Sequence, residues 1–272
     1  LKLILIVTGT HLSKKHGFTI DEIKKDGFAI DAKIKMMPSG NDNFSMSLEL
    51  GKGIVSFTKI FRKFKPDVNL ILGDRDEMLA SALAAYHMNI PNAHIHGGDS
   101  SGGLDEYTRH AITKISNVHF AATKQSKNRI IKMGENEKFV FFTGSPSIDE
   151  LMKNKISSKK ELLKKYNIDF VGNEIILVYH SVTTESKFSK DQIKKILDAI
   201  IPLNKKIISI FPNSDPGYKD IIKVLNQTKR KISLFESFSN LPREDYLGML
   251  KNSGILIGNS SSGFIESSYL SI

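Results

Sequence analysis

Residues 96–114, HGGDSSGGLDEYTRHAITK, hold two histidines, three carboxylates, one arginine and four glycines in nineteen positions. Imidazoles and carboxylates move protons, a guanidinium grips phosphate or carboxylate through its planar fork, and glycines let the backbone turn sharply beside a ligand. LDEYTRHAITK has helical spacing, so Asp105 and Arg109 share one face, as do Glu106 and His110. That spacing admits two readings. One is a surface ion pair beside a first-turn acid favoured by the helix dipole. The other is an acid or base held beside a phosphate-binding guanidinium.

Similar groups recur at the ends of apolar runs. LILGDRDE presents Asp74 and Arg75, NAHIHGGD presents His94, His96 and Asp99, ILVYHSVTTES presents His180, and IFPNSDPG presents Asn213 and Asp215. Any one of them reads as a cap or turn residue. Their recurrence, with histidines that caps do not need, points to a site. His94 and His96 alternate as residues of one strand face do, which raises a metal site with Asp74 or Asp99. No further ligand spacing supports it, and the expectation is a site without metal. His119, inside an apolar run, reads as a core or strand-end histidine.

GILIGNSSSGFIE, residues 254–266, reads as strand, tight turn and helix start. Free N–H groups there, with the hydroxyls of Ser260, Ser261 and Ser262, suit a diphosphate, and Glu266 suits ribose hydroxyls. The alternative is an ordinary serine cap, although three serines exceed what a cap needs. Neither a Walker loop nor a G-x-G-x-x-G fingerprint is present, which argues against P-loop hydrolysis and nicotinamide chemistry.

Positioning such groups requires strands whose carboxyl ends share an edge. Strand-like runs (LKLILIVTG, AIDAKIKM, DVNLILGD, NAHIH, VHFAAT, KFVFFTG, EIILVYH, KIISIFP, KISLFE, GILIGN) alternate with helical patterns such as FSMSLELGKGIVSFTKIFRKF and DQIKKILDAIIPL. That alternation predicts an α/β fold of right-handed βαβ units around parallel sheets, with ligands beyond the strand ends. The rhythm lapses between Gly144 and Gly172. The expected division is a Rossmann-like domain over 1–155, a crossover over 156–172 and a second Rossmann-like domain over 173–272, both doubly wound.

The 272 residues include no cysteine, which excludes disulfides and Cys-based zinc or redox sites. The net charge of +10 suits an anionic partner. Its densest run, KNKISSKKELLKKY at 153–166, lacks interleaved base-stacking aromatics and reads as a solvated helix, so a nucleic-acid partner is not expected. No apolar run is long enough to span a bilayer and LKLILIV reads as a strand, so the expectation is a cytoplasmic protein without membrane attachment.

Taken in order over essentially the whole chain, VTGTHLS, LGDRDEMLA, AHIHGGD, GGLDEYTRHAITK, GSPSID, YHSVTTES, FPNSDPG and IGNSSSGFIE resemble the UDP-N-acetylglucosamine 2-epimerases. The likeness is greatest to the UDP-hydrolysing branch that makes N-acetylmannosamine for sialic-acid-type sugars. The resemblance implies two domains of the glycosyltransferase-B type, UDP held mainly by the second, and no metal or redox cofactor. It implies loss of UDP and of the C2 proton to give a 2-acetamidoglycal, then addition of water. It implies acid/base work for Asp74 and Asp105, contact with the leaving diphosphate for Arg109 and His180, and UDP contacts for Asn213, Ser260, Ser261 and Glu266. Arg75, His94, His96, Asp99, Glu106 and Ser262 complete the expected substrate-binding set. His96 stands where part of the family has glutamate, as sialic-type members often do, and Asp99 stands where glutamate is frequent. The family's first strand, an arginine-containing loop and the region beyond the serine turn are not matched, so a fragment of a longer homo-oligomeric enzyme is expected. Rival readings are an epimerase that keeps UDP attached, a relative acting on a diacetamido-trideoxy sugar, a glycosyltransferase, or a binder of nucleotide sugars without turnover.

Overall fold

A computed structural model describes residues 1–37, 40, 42–153, 155–263 and 265–270. Asn154 in the lysine-rich run and Phe264 in the serine motif lie outside the described residues, as do the last two residues. The chain forms two compact units: residues 1–13 with 18–145, and residues 14–17 with 146–272.

The first unit runs β1 (Ile6–Thr8), α1 (Ile20–Lys25), β2 (Ala32–Ile34), α2 (Asn43–Phe64), β3 (Asn69–Leu72), α3 (Asp76–His87), β4 (Asn92–Ile95), α4 (Gly103–Lys114), β5 (Val118–Ala121), α5 (Lys124–Lys132) and β6 (Val140–Phe142). β1 pairs with β2, and β3-β4-β5-β6 form a second sheet in that order, all parallel. The expected LKLILIVTG strand contracts to three residues because β2 offers it only a three-residue partner, and Leu1 and Leu3 stay exposed. α2 begins at Asp42, whose carboxylate accepts the Ser45 N–H at 2.8 Å. α2 and α3 approach closely because Gly53 and Ala80 are small: a Cβ on Gly53 would lie 3.0 Å from the Ala80 Cβ.

The second unit runs α6 (Pro146–Lys153), α7 (Lys159–Tyr166), β7 (Ile175–Val178), α8 (Ser189–Ile200), β8 (Ile207–Ile210), α9 (Tyr218–Lys229), β9 (Phe235–Phe238), α10 (Arg243–Asn252), β10 (Ile255–Gly258) and α11 (Glu266–Leu270). Its sheet is parallel with strand order β10-β7-β8-β9. β7 is buried throughout. Ile175 and Leu177 pack with Ile193, Leu197 and Ile221 on one face, while Ile176 and Val178 pack with Leu162, Met249 and Leu250 on the other. Helices therefore cover both faces, and period-two alternation sends successive residues into opposite cores. Each such side chain contributes about 1.5–3 kcal/mol on burial, more than an exposed ion pair such as Lys155 with Glu161 supplies, so the two apolar layers hold the unit. β9 begins four residues after the start of the expected KISLFE strand, because Lys231 and Ile232 close a turn onto the Thr228 carbonyl. α7 opens with a capping box between Ser158 and Glu161. No helix among the described residues is long and apolar enough to cross a membrane.

The strand orders differ in one respect that bears on ligands. In the second unit the chain steps from β7 outward through β8 and β9, then returns to lay β10 on the other side of β7. Open α/β sheets bind ligands at such a reversal, which here lies at the carboxyl ends of β7 and β10.

Candidate active site

Each unit carries its own cluster at strand carboxyl ends. In the first, Gly73 turns the chain out of β3 with φ +80°, delivering Asp74. Arg109, on α4 and 9% exposed, donates through Nη2 to Asp74 Oδ2. Its Nη1 donates to the Asp99 carbonyl and to Ser101 Oγ, both at 3.0 Å. The guanidinium thus ties β3, the glycine-rich loop and α4 together. Glu106 shapes that loop: one carboxylate oxygen accepts the Gly102 and Ser101 N–H groups at 2.8 Å and Ser100 Oγ at 2.7 Å. These bonds, the Gly102 N–H foremost, hold the Glu106 pKa down to about 2. Asp105 lies exposed in the first turn of α4, and Arg75 occupies the N-cap of α3.

His94 is fully buried beneath this cluster. Its Nε2 donates to the Gly73 carbonyl at 2.8 Å, and Thr113 Oγ1, itself 2.9 Å from the Arg109 carbonyl, lies 3.2 Å from Nδ1. Burial lowers its pKa to about 4, so the ring is neutral at ordinary pH. His94 reaches no solvent; it braces the backbone on either side of the Asp74–Arg109 pair.

His96 does not share a strand face with His94, because it lies beyond β4 in a left-handed conformation with φ +65°. Its ring bridges Asp99 Oδ2 at 2.9 Å and Ser145 Oγ at 3.1 Å. Ser126 Oγ donates to the other Asp99 oxygen at 2.5 Å. No cluster of three His, Asp or Glu side chains among the described residues is placed to hold a metal. His119, beside His94 in the sheet, is buried in the core and faces Glu135 at 3.4 Å.

The second cluster lies at the reversal in strand order. The His180 N–H donates to Asn259 Oδ1 at 2.7 Å, and Asn259 Nδ2 donates back to the His180 carbonyl at 2.9 Å. The Asn213 N–H donates to His180 Nδ1 at 3.1 Å, so the proton of the neutral ring sits on Nε2. The serines form a short 3₁₀ turn, Ser261–Gly263, and α11 starts only at Glu266. Ser262 is buried and accepts from the Tyr246 hydroxyl at 2.6 Å, Ser260 Oγ accepts the Ser262 N–H at 3.3 Å, and Ser261 is exposed. Glu266 is buried and accepts from Arg243 at 2.6 Å.

The first unit thus gathers Asp74, Arg109, Asp99, His96, His94 and Glu106; in the second, His180 is joined to Asn213 and Asn259, while Ser262 and Glu266 are tied to α10 through Tyr246 and Arg243. Sequence reading passed over Ser145, Ser126, Thr113, Asn259 and Arg243. Ser145 and Asn259 each follow a strand end closely, so the same rule could have found them. Thr113 and Arg243 act from helices and gave no such signal.

A sequence profile described as UDP-N-acetylglucosamine 2-epimerase matches residues 1–272. The chain belongs to the UDP-N-acetylglucosamine 2-epimerase family. Among curated relatives, the UDP-N,N'-diacetylbacillosamine 2-epimerase (hydrolyzing) of Legionella pneumophila is 40% identical over 98% of this chain and 70% of its own length. The UDP-N-acetylglucosamine 2-epimerase of Neisseria meningitidis is 32% identical over 98% of this chain and 69% of its own length. The crystal structure of UDP-GlcNAc 2-epimerase from Neisseria meningitidis bound to UDP-GlcNAc superposes with a TM-score of 0.76 at 21% identity, covering 98% of this chain and 80% of that one. This family member therefore has the α/β fold of the glycosyltransferase-B type, built on parallel Rossmann-like sheets.

Proposed function

We propose that this epimerase family member hydrolyses a UDP-linked 2-acetamido sugar and inverts its C2. The observation that carries the reading is the Asp74–Arg109 pair, a carboxylate held by a buried guanidinium at a strand carboxyl end, in a family of nucleotide-sugar epimerases. A base removes the C2 proton as the C1–O bond breaks, leaving UDP and a 2-acetamidoglycal. A proton then returns to C2 on the opposite face, and water adds its oxygen at C1. Nothing is oxidised or reduced. The C2 proton is not acidified by a neighbouring carbonyl, so the barrier falls through placed acid/base groups, worth about 10²–10⁴-fold, and through stabilising the departing diphosphate.

In this reading Asp74 and Asp105 perform the C2 proton transfers. Arg109 supplies positive charge and His180 an Nε2 donor to the leaving diphosphate. Asn213, Ser260, Ser261, Ser262 and Glu266 hold UDP. The higher identity of the Legionella relative favours a UDP-diacetamido-trideoxy sugar as substrate. UDP-N-acetylglucosamine, giving N-acetylmannosamine, is the second reading, favoured by the Neisseria relative.

Proton NMR in deuterated water tests both, with each UDP-sugar incubated separately. The expected result is free UDP and a free sugar with inverted C2 carrying one deuterium. An epimerised sugar still attached to UDP, or bound UDP-sugar left unchanged, overturns the hydrolysing reading.

A further inference from the structure

Ser145, His96 and Asp99 form a continuous hydrogen-bonded chain inside the first unit. A carboxylate only accepts, so Asp99 fixes the imidazole proton on Nδ1 and leaves the Nε2 lone pair facing the Ser145 hydroxyl. Ser126 holds the second Asp99 oxygen. Burial opposes charge on Asp99, but the hydrogen bonds from His96 and Ser126 outweigh it and keep its pKa below the usual aspartate value. The carboxylate thus remains able to stabilise an imidazolium. His96 is held in left-handed backbone, a strained state for a residue with a side chain, and its ring is 14% exposed. Strain here aims the ring along the chain from Asp99 to Ser145, and a turn alone has no need of a histidine.

The hydrolysing reaction, on which this inference rests, moves three protons: one from C2, one to C2, and one from the attacking water. Asp74 and Asp105 account for the first two. We propose that the Ser145–His96–Asp99 chain accepts the third. As the water oxygen bonds to C1, its proton passes to Ser145 Oγ while the Ser145 proton passes to His96 Nε2. The resulting imidazolium rests against Asp99 and returns its proton to solvent after product leaves. An epimerase that returns UDP to the glycal has no water proton to place, so this chain serves hydrolysis specifically.

The test is the product made by Ser145→Ala, read by NMR on whichever UDP-sugar the unaltered chain turns over. The ratio of released 2-acetamidoglycal to hydrated sugar should rise at least about tenfold, because elimination still occurs while hydration loses its proton acceptor. Ser145→Thr, which keeps the hydroxyl, should return the ratio towards that of the unaltered chain, and Asp99→Asn should raise it as Ser145→Ala does. A structural role would slow both products together. Hydrated sugar alone from Ser145→Ala and Asp99→Asn, at any rate, overturns the relay. A covalent sugar adduct on Ser145, seen by mass spectrometry of quenched enzyme, also overturns it in favour of nucleophilic attack. Absence of turnover by the unaltered chain is a separate result: it overturns the hydrolysing reading and this inference with it.

Discussion

At the scale of single residues, the site depends on groups that never meet solvent. His94 holds the carbonyl that precedes Asp74 and, through Thr113, the helix that carries Arg109. Displacing reacting groups by about 1 Å can cost about 100-fold in rate, so His94→Leu should lower kcat by about that factor. UDP affinity should stay within about twofold if, as proposed, the nucleotide contacts lie in the other unit. His94→Gln, whose Nε2 can still donate to Gly73, should recover most of the activity, and steady-state kinetics with UDP titration distinguishes the two. His94 also links folding to pH. Its pKa is about 4 in the fold against an ordinary 6.5, so on acidification the unfolded chain takes up this proton first. Stability is fully present above pH 6.5 and falls as pH drops towards 4, and His119 shifts in the same direction through burial. Urea titrations across that window should show the fall, and His94→Gln should flatten it. Asp105→Asn should abolish turnover and leave UDP affinity nearly unchanged; full retained activity would remove Asp105 from the acid/base pair. The strand-end rule made His94, His96 and Asp99 legible in sequence as members of one cluster. Their division of labour was not legible, because each ring's role is set by Gly73 or Ser145, 21 and 49 residues away.

At the scale of elements, strand-like runs alternating with helical patterns placed the ten strands of the described residues and the long helices well. Lengths and registers were less readable. β9 starts late because a local turn captures Lys231 and Ile232, and the serine motif closes into a 3₁₀ turn before any α-helix begins. The junction of β10 with β7 is the most demanding of these elements. Gly258 has φ +146°, and a Cβ there would sit 1.8 Å from the Val178 carbonyl oxygen. Backbone cannot rotate aside as a side chain can. Gly258→Ala should therefore force β10 away from β7, costing about 2 kcal/mol or more. It should also weaken UDP binding, because His180 and Asn259 hang from these two strands. Thermal unfolding with and without UDP measures both effects, and an unchanged melting temperature would contradict the crowding.

At the scale of the whole molecule, the two units have separate cores, and they divide at Ser145 and Pro146, with α7 packed into the second unit through Leu162. The sequence expectation put the crossover at 156–172, where lysine-rich helix interrupts the strand rhythm; amphipathic helices that join a core look from sequence much like helices that link two cores. If UDP belongs to the second unit, its addition should slow amide exchange in residues 178–181, 211–217 and 256–263 and leave 94–109 unaffected, by exchange mass spectrometry. Protection confined to 94–109 would reverse the assignment. The reciprocal bonds between His180 and Asn259 span 79 residues, and this sets an order of events during translation. A ribosome that has released β7, β8 and β9 has made a sheet whose β7 edge is still open, and His180 lacks the amide that anchors it. The crevice proposed for the nucleotide comes into being only when β10 clears the exit tunnel. UDP bound there would thus reward a sheet that has gained β10 but could not guide the folding of one that lacks it.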